Sequence, residues 1–214
     1  MLQMLYLLQN IEFPDNIERY VIPFASNGDF LPCIFTSKMI EIEMYDLYPT
    51  ADFIQQRDVL LNPPDYSGKF ILSKPPNKDV LENSILYQKY HMDNTYKCFI
   101  DSIIDTKCCG GVMIIPFIFW CSQTPSDSEL RRRFLAKYYI HTMNIYDGKV
   151  CNFKNIKTCS FKFAKRRSII FEPPSPPSPP SPHQTHCHIY PGDAKFDYTF
   201  NRYNNYAYVQ KAYL

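Results

Sequence analysis

Residues 19–30 read RYVIPFASNGDF. The apolar run predicts a buried strand over Arg19 to Phe24, and the small residues Ala25-Ser26-Asn27-Gly28-Asp29 predict a tight turn ahead of a short helix. Small residues let backbone amides approach a ligand closely, and open α/β sheets bind ligands at the carboxyl ends of their strands. An Asn-Gly pair alone is equally a plain turn. Its weight rises with Asp46, which follows a second apolar run, Met39 to Tyr45. An acidic side chain about twenty residues after such a turn is placed to accept from ribose hydroxyls, so together the two features predict a nucleoside site.

Further along, Lys69 to Leu72 is a short apolar run stopped by Pro75-Pro76, and Val112 to Ile115 is β-branched and apolar after Gly110-Gly111. Both predict central strands buried on two faces. Between them, Tyr96 to Lys107 places Phe99, Ile103 and Ile104 at helical spacing, and Ser126-Asp127-Ser128-Glu129 reads as a capping box opening a helix through about Tyr138. Ile140 to Tyr146 and Thr158 to Phe163 predict an antiparallel pair. Strand and helix units in this order predict an α/β fold: a doubly wound, mostly parallel sheet with an antiparallel C-terminal strand pair.

The composition is that of a folded protein: 214 residues, 45% hydrophobic, 16% aromatic and 21% charged. With 23 basic and 21 acidic residues the net charge is +2, so no global field favours a nucleic acid or an anionic membrane. The longest apolar run, Gly110 to Cys121, is shorter than the roughly 18–20 residues of a membrane span, and the first ten residues lack the features of a signal peptide. An intracellular protein, cytoplasmic or nuclear, with no membrane partner and with its eight scattered cysteines reduced, is expected.

Pro173 to Pro182 reads PPSPPSPPSP, a polyproline II spacer or insertion and a candidate site for a protein partner. It divides the chain into a body, 1–172, a linker, 173–182, and a Tyr-rich tail, 183–214, too short to be a domain by itself. The tail must pack back on the body or stay loose. His183-Gln184-Thr185-His186-Cys187-His188 is the one metal-like cluster, but no second ligand knuckle accompanies it, and no metal is expected. Cys108-Cys109 reads as packed rather than reactive.

The order of Tyr20-Val21-Ile22-Pro23-Phe24-Ala25-Ser26-Asn27-Gly28-Asp29, Asp46, Asp58-Val59-Leu60-Leu61-Asn62-Pro63-Pro64-Asp65-Tyr66 and Lys69-Phe70-Ile71-Leu72 with its Pro-Pro loop resembles the adenine-specific DNA methyltransferases of restriction-modification systems. Ile114-Ile115-Pro116, Phe119-Trp120-Cys121-Ser122 and Cys159-Ser160-Phe161 continue the likeness, which spans roughly residues 10–165. The resemblance implies a Rossmann-like fold that transfers a methyl group from S-adenosylmethionine to the exocyclic amine of an adenine flipped out of duplex DNA. It implies that Pro23, Ala25, Asn27, Gly28 and Asp29 wrap the methionine end of the cofactor, that Asp46 takes the ribose, and that Asp58 reaches the cofactor's adenine amine. The family's catalytic loop, Asn-Pro-Pro-Tyr, accepts the target amine and stacks on the flipped base; here the matching residues are Lys74-Pro75-Pro76-Asn77.

That departure has a physical consequence. A lysine ammonium has donors and no acceptor, and it places positive charge where positive charge develops during transfer. Asn77 offers no aromatic face. Losing such an acceptor costs about 2.7–4 kcal/mol, a hundred- to thousandfold in rate. The upstream Asn62-Pro63-Pro64-Asp65 is an alternative catalytic loop, although it precedes the Lys69 to Leu72 strand. The family's target-recognition region has no counterpart beyond the linker and tail. Arg131-Arg132-Arg133 with Lys137, Lys165-Arg166-Arg167, and six tail tyrosines interleaved with Lys195, Arg202 and Lys211 are candidate nucleic-acid contacts. Two functions stay open at this level: a divergent or truncated adenine methyltransferase, or a non-catalytic nucleotide or nucleic-acid binding module on the same fold.

Overall fold

A computed structural model describes residues 2–34, 40–147, 156–166, 185–190 and 198–200, the last two segments by their backbone. The elements are α1 (Leu2–Leu7), β1 (Arg19–Pro23), α2 (Leu31–Ile34), β2 (Glu41–Asp46), β3 (Gln55–Gln56), β4 (Phe70–Ser73), α3 (Ile85–Tyr90) and α4 (Thr95–Ile104). They continue with β5 (Gly110–Pro116), α5 (Ile118–Cys121), α6 (Pro125–Lys137), β6 (Tyr138–Tyr146), β7 (Thr158–Lys165), β8 (Thr185–Tyr190) and β9 (Tyr198–Phe200). The strands form one sheet in the order β3-β2-β1-β4-β5-β7-β6-β8-β9. The pairs β2/β3, β1/β2, β1/β4, β4/β5 and β6/β8 are parallel, while β7 runs antiparallel to both its neighbours. The expected doubly wound sheet with an antiparallel C-terminal pair is thus observed. No helix among the described residues is long and apolar enough to cross a membrane.

Alternation along the central strands builds two cores. Val21, Ile71, Met113, Ile115, Phe161 and Phe163 face a layer holding α4 and α6, while Tyr20, Ile22, Phe70, Leu72, Val112 and Ile114 face α1 and α2. Strands so buried on both faces read as continuous apolar runs, which is why β1, β4 and β5 were legible. Gly110 and Gly111 open β5 because two backbones approach closely there: a Cβ at Gly111 would collide with the Ile71 carbonyl oxygen and lie 2.9 Å from the Phe163 ring.

Two expectations shift. The helix α6 is capped not by Ser126 but by Thr124, whose hydroxyl accepts from the Asp127 amide at 3.4 Å. Pro125 sets this start, since proline fits the first helical position and its ring biases the residue before it to extended backbone. Strand β1 ends at Pro23 because Phe24 turns to φ 59°, and Asp46 is the last residue of β2 rather than the one after it.

The six-residue helix α1 is too short to persist alone. The Leu7 carbonyl accepts from Tyr146 Oη (2.9 Å) and Ser160 Oγ (2.5 Å), that of Gln9 from Asn144 Nδ2 (2.7 Å), and that of Glu12 from Lys162 Nζ (2.7 Å). Side chains of β6 and β7 therefore satisfy the last carbonyl of α1 and fasten the chain that follows it to the sheet. The tail's β8 adds to the edge of β6 and β9 to β8, with Tyr190 and Tyr198 described by their backbone; the Pro-Ser linker and the rest of the tail, with its other four tyrosines, lie outside the described residues.

Adding one methyl group where β5 meets β4 tests this packing. Gly111→Ala is expected to cost about 1–3 kcal/mol, read as a lower urea midpoint at unchanged m-value.

Candidate functional site

Register brings the candidate residues to one edge. Pro23 pairs with Tyr45, Tyr20 with Phe70, and Tyr45 with Gln55, so β1, β2, β3 and β4 all end on the same side of the sheet. Ser73, the last residue of β4, reaches the Pro23 carbonyl with its hydroxyl at 3.5 Å. From this edge emerge the turn after β1, Asp46, Asp58 two residues past β3, and the Lys74-Pro75-Pro76-Asn77 loop.

The turn after β1 is wound tightly. Phe24, Ser26 and Gly28 take φ of 59°, 52° and 78°. For the two non-glycine residues a left-handed backbone costs on the order of 1–2 kcal/mol each, so surrounding bonds must hold them. The Ala25 amide donates to the Tyr45 carbonyl (2.9 Å), the Gly28 amide to the Ala25 carbonyl (2.8 Å) and the Leu31 amide to the Gly28 carbonyl (2.9 Å). Asp46 supplies the key hold: its Oδ2 accepts the Ser26 amide and its Oδ1 the Tyr48 amide, each at 2.9 Å. A carboxylate has about four acceptor positions, so two remain for donors such as a ribose diol.

At Gly28 a Cβ would sit 3.2 Å from Leu31 and 3.3 Å from Phe53, so the turn is closed on that side. Asn27 and Ser26 are exposed, Asp29 half-buried. Asp58 Oδ1 accepts the amides of Leu60 and Leu61, each at 3.0 Å, and its backbone carbonyl accepts the Asn62 amide at 2.8 Å. Asp58 thus organises its own turn while sharing the edge with Asp46, whose carbonyl takes the Arg57 amide at 2.8 Å. This donor set, acceptor carboxylates beside exposed backbone, fits the hydroxyls and amine of a nucleoside-bearing cofactor.

In the Lys74-Pro75-Pro76-Asn77 loop Pro75 is buried and the other three are half-buried. The loop is sewn to the start of α4. The Thr95 hydroxyl donates to the Pro76 carbonyl and accepts from the Lys78 amide at 3.1 Å, while the Thr95 amide donates to the Lys78 carbonyl at 2.9 Å. Asn94, the N-cap of α4, contacts Asp79. Behind them lies an ion cluster in which Lys97 Nζ is 2.6 Å from Asp127 and 2.9 Å from Asp93. Burial pulls the Lys97 ammonium down and pushes the Asp127 carboxyl up, but their mutual hydrogen bonds and charge outweigh it. Lys97 titrates above, and Asp127 below, its ordinary value.

The alternative loop fares otherwise. Asn62 to Asp65 lies on the crossover from β3 to β4, not at the end of β4; the Asn62 side-chain oxygen accepts from Arg57 at 3.3 Å, and Tyr66 is buried against Phe99. The arginine run is largely occupied internally. Arg131 donates to the carbonyls of Phe119 and Ser122, Arg132 pairs with Glu129, and Arg133 with Asp101 at 2.6 Å. Lys137 lies 3.7 Å from Asp105, and Arg166 donates to the Leu135 carbonyl at 2.8 Å. The side chains of the His183–His188 cluster lie outside the described residues, as does Arg167. The six described cysteines are free thiols, with Cys108 buried at 3.1 Å from Tyr138 Oη. Three residues at the edge had no sequence signal: Tyr48, 76% exposed beside Asp46, and Thr50 and Thr95, each bonded to a loop about twenty residues away.

Among solved structures the chain is similar to one from a type I restriction-modification system studied for complex assembly and conformational transition, with TM-score 0.58 and 12% identity over 89% of this chain and 43% of that one. It is similar to the type I restriction-modification methyltransferase subunit of Streptococcus thermophilus (TM-score 0.55, 10% identity, 88% and 45%). A putative class I S-adenosylmethionine-dependent methyltransferase of Listeria monocytogenes matches at TM-score 0.50 and 12% identity over 82% and 60%. The fold is therefore that of class I methyltransferases, and the chain spans 43–60% of the length of these neighbours. No family model matches the chain. No curated protein matches it.

The ion cluster behind the loop carries a pH signature. Because folding lowers the Asp127 pKa, its stabilisation is complete above the ordinary value of 3.8 and is lost as pH falls through the lower folded value. Asp127→Asn is expected to lower stability at pH 7 by about 3 kcal/mol and to flatten the acid limb below about pH 4, as measured by urea unfolding from pH 2.5 to 7.

Proposed function

We propose that this chain is a divergent S-adenosylmethionine-binding domain of the DNA adenine N-6 methyltransferase type, in which the cofactor site persists and methyl transfer is impaired. One observation carries it: the Asp46 carboxylate fastens the turn after β1 to the end of β2 and keeps acceptor positions for a ribose. In this assignment Pro23, Ala25, Asn27, Gly28 and Asp29 line the methionine side, Asp46 holds the ribose, Asp58 accepts the adenine amine, and the exposed Tyr48 ring lies beside Asp46 as an apolar face. When bound, S-adenosylmethionine supplies an electrophilic methyl group.

The chain's own contribution to transfer falls on Lys74 to Asn77. An attacking exocyclic amine needs acceptors for its protons, and it gains positive charge as its nitrogen forms the new bond. Lys74 offers donors and a like charge. One of the two acceptor positions of the Pro76 carbonyl is taken by the Thr95 hydroxyl. Asn77 lacks the π-face that holds a flipped base. Duplex DNA with a flipped adenine is the substrate class if transfer survives, and an intracellular location follows from that partner. The body over 1–172 carries this chemistry, and the Pro-Ser segment is assigned to protein contacts.

A second reading, a non-catalytic nucleotide or nucleic-acid binding module, draws on Lys74 itself, since a cation at this edge suits a phosphate better than an amine.

Calorimetry with S-adenosylmethionine tests the first step: micromolar binding is expected, weakened at least tenfold in Asp46→Ala, with at most weak methyl transfer to adenine-containing DNA. The double substitution Lys74→Asn, Asn77→Tyr is expected to raise transfer about a hundred- to thousandfold, measured with radiolabelled methyl donor. Binding of nucleotides or DNA without any affinity for S-adenosylmethionine would favour the second reading.

A further inference from the structure

The segment between β2 and β3, residues 47–54, lies against the turn after β1. Phe53 covers Gly28, the Tyr48 amide donates to Asp46, and Gln56 Nε2 donates to the Leu47 carbonyl at 3.2 Å. Within it, Thr50 Oγ1 lies 3.1 Å from the Ser26 carbonyl and 2.7 Å from Asn27 Oδ1. Ser26 is thereby held on both sides of its Cα: its amide by the Asp46 carboxylate, its carbonyl by the Thr50 hydroxyl. These two bonds fix the φ and ψ of a residue whose left-handed backbone, at φ 52°, resists being held at all. A threonine has one hydroxyl proton, so Ser26 and Asn27 share it as a three-centre bond, and the Asn27 amide is oriented by the same contact.

We infer that Thr50 is the positioning residue of the cofactor turn: it locks Ser26 in the left-handed conformation and aims Asn27, so that the turn meets an adenosyl ligand already formed. The inference rests on the cofactor reading above and names the regulator of that site's order. Thr50 touches the turn and not the reacting atoms. Its side chain is exposed, so its loss removes the hydroxyl without opening a core.

The test compares the full chain with Thr50→Val, which keeps the shape and loses the hydroxyl, and Thr50→Ser, which keeps the hydroxyl. Hydrogen exchange of the Ser26 and Gly28 amides is expected to quicken about fivefold in Thr50→Val, the loss of one hydrogen bond, and to stay within twofold in Thr50→Ser, at unchanged melting temperature. Affinity for S-adenosylmethionine by calorimetry is expected to fall about fivefold in Thr50→Val and to return in Thr50→Ser. Unchanged exchange in Thr50→Val overturns the inference whatever the affinity. Faster exchange with full affinity overturns the positioning role. Faster exchange with no binding by the unaltered chain defeats the cofactor reading alone and leaves Thr50 established as the lock on the turn.

Discussion

The Asp46 carboxylate is the constraint on which the carboxyl edge of the sheet depends. Its two oxygens accept amides from two different loops, the turn after β1 and the segment after β2. That is possible only because the two strands run parallel and end level, with Pro23 opposite Tyr45. Side chains alternate along a strand, so a slip of one residue in β2 would carry Asp46 to the opposite face and leave the Ser26 amide without its acceptor. The two-faced apolar pattern of β1 guards against that slip, since Val21 and Ile22 each have a separate core to fill. The fold and the site are thus specified by one register.

The two halves of this edge are equally well built but differ in chemistry. Around Asp46 the fixed groups are acceptors and small backbone turns, suited to hydroxyls and amines. Around Lys74 the scaffolding is as firm: Thr95 grips the loop on both sides of Asn77, and the buried Lys97–Asp127 pair holds the start of α4 to the start of α6. On the proposed assignment this rigidity holds a lysine where methyl transfer needs an acceptor. A well-ordered loop with the wrong electrostatics is a stronger barrier to transfer than a loose one, because it cannot rearrange to offer another group.

The parts legible in the sequence are those whose cause is local. β1, β4 and β5 announced themselves as apolar runs, α4 by the spacing of Phe99, Ile103 and Ile104, and the edge residues Gly28 and Asp46 by their place after strands. What was missed depends on distant partners. Helix α1 is six residues long, and its last carbonyl, that of Leu7, takes its partners from residues 139 and 153 positions away. Helix α3 is equally short, bounded by the Ser84 cap and by His91 in a left-handed backbone, and no periodicity marks six residues. Thr50 sits in a connection and Thr95 opens α4, and in neither place does anything local distinguish a threonine that clamps a loop from one facing water. The arginine run reads in sequence as a candidate nucleic-acid contact, yet Arg131 turns inward to the carbonyls at the end of α5, a use that only the packing of α6 on α5 defines.

Lys74 and Asn77 lie at the rim, half-buried, at a loop whose backbone bonds run through Pro76, Lys78 and Thr95. None of those bonds requires a particular side chain at 74 or 77. Substitution there leaves those backbone bonds in place. The Asp46 half is built the other way: on the proposed assignment its carboxylate is both ligand acceptor and loop fastener, so losing it damages structure and binding together. On the proposed assignment drift is asymmetric: the backbone bonds of the 74–77 loop do not depend on its side chains, while the Asp46 edge is held by the demands of folding. Fold and chemistry separate at this boundary, and a likeness of fold reaches no further than the half of the site that folding itself maintains.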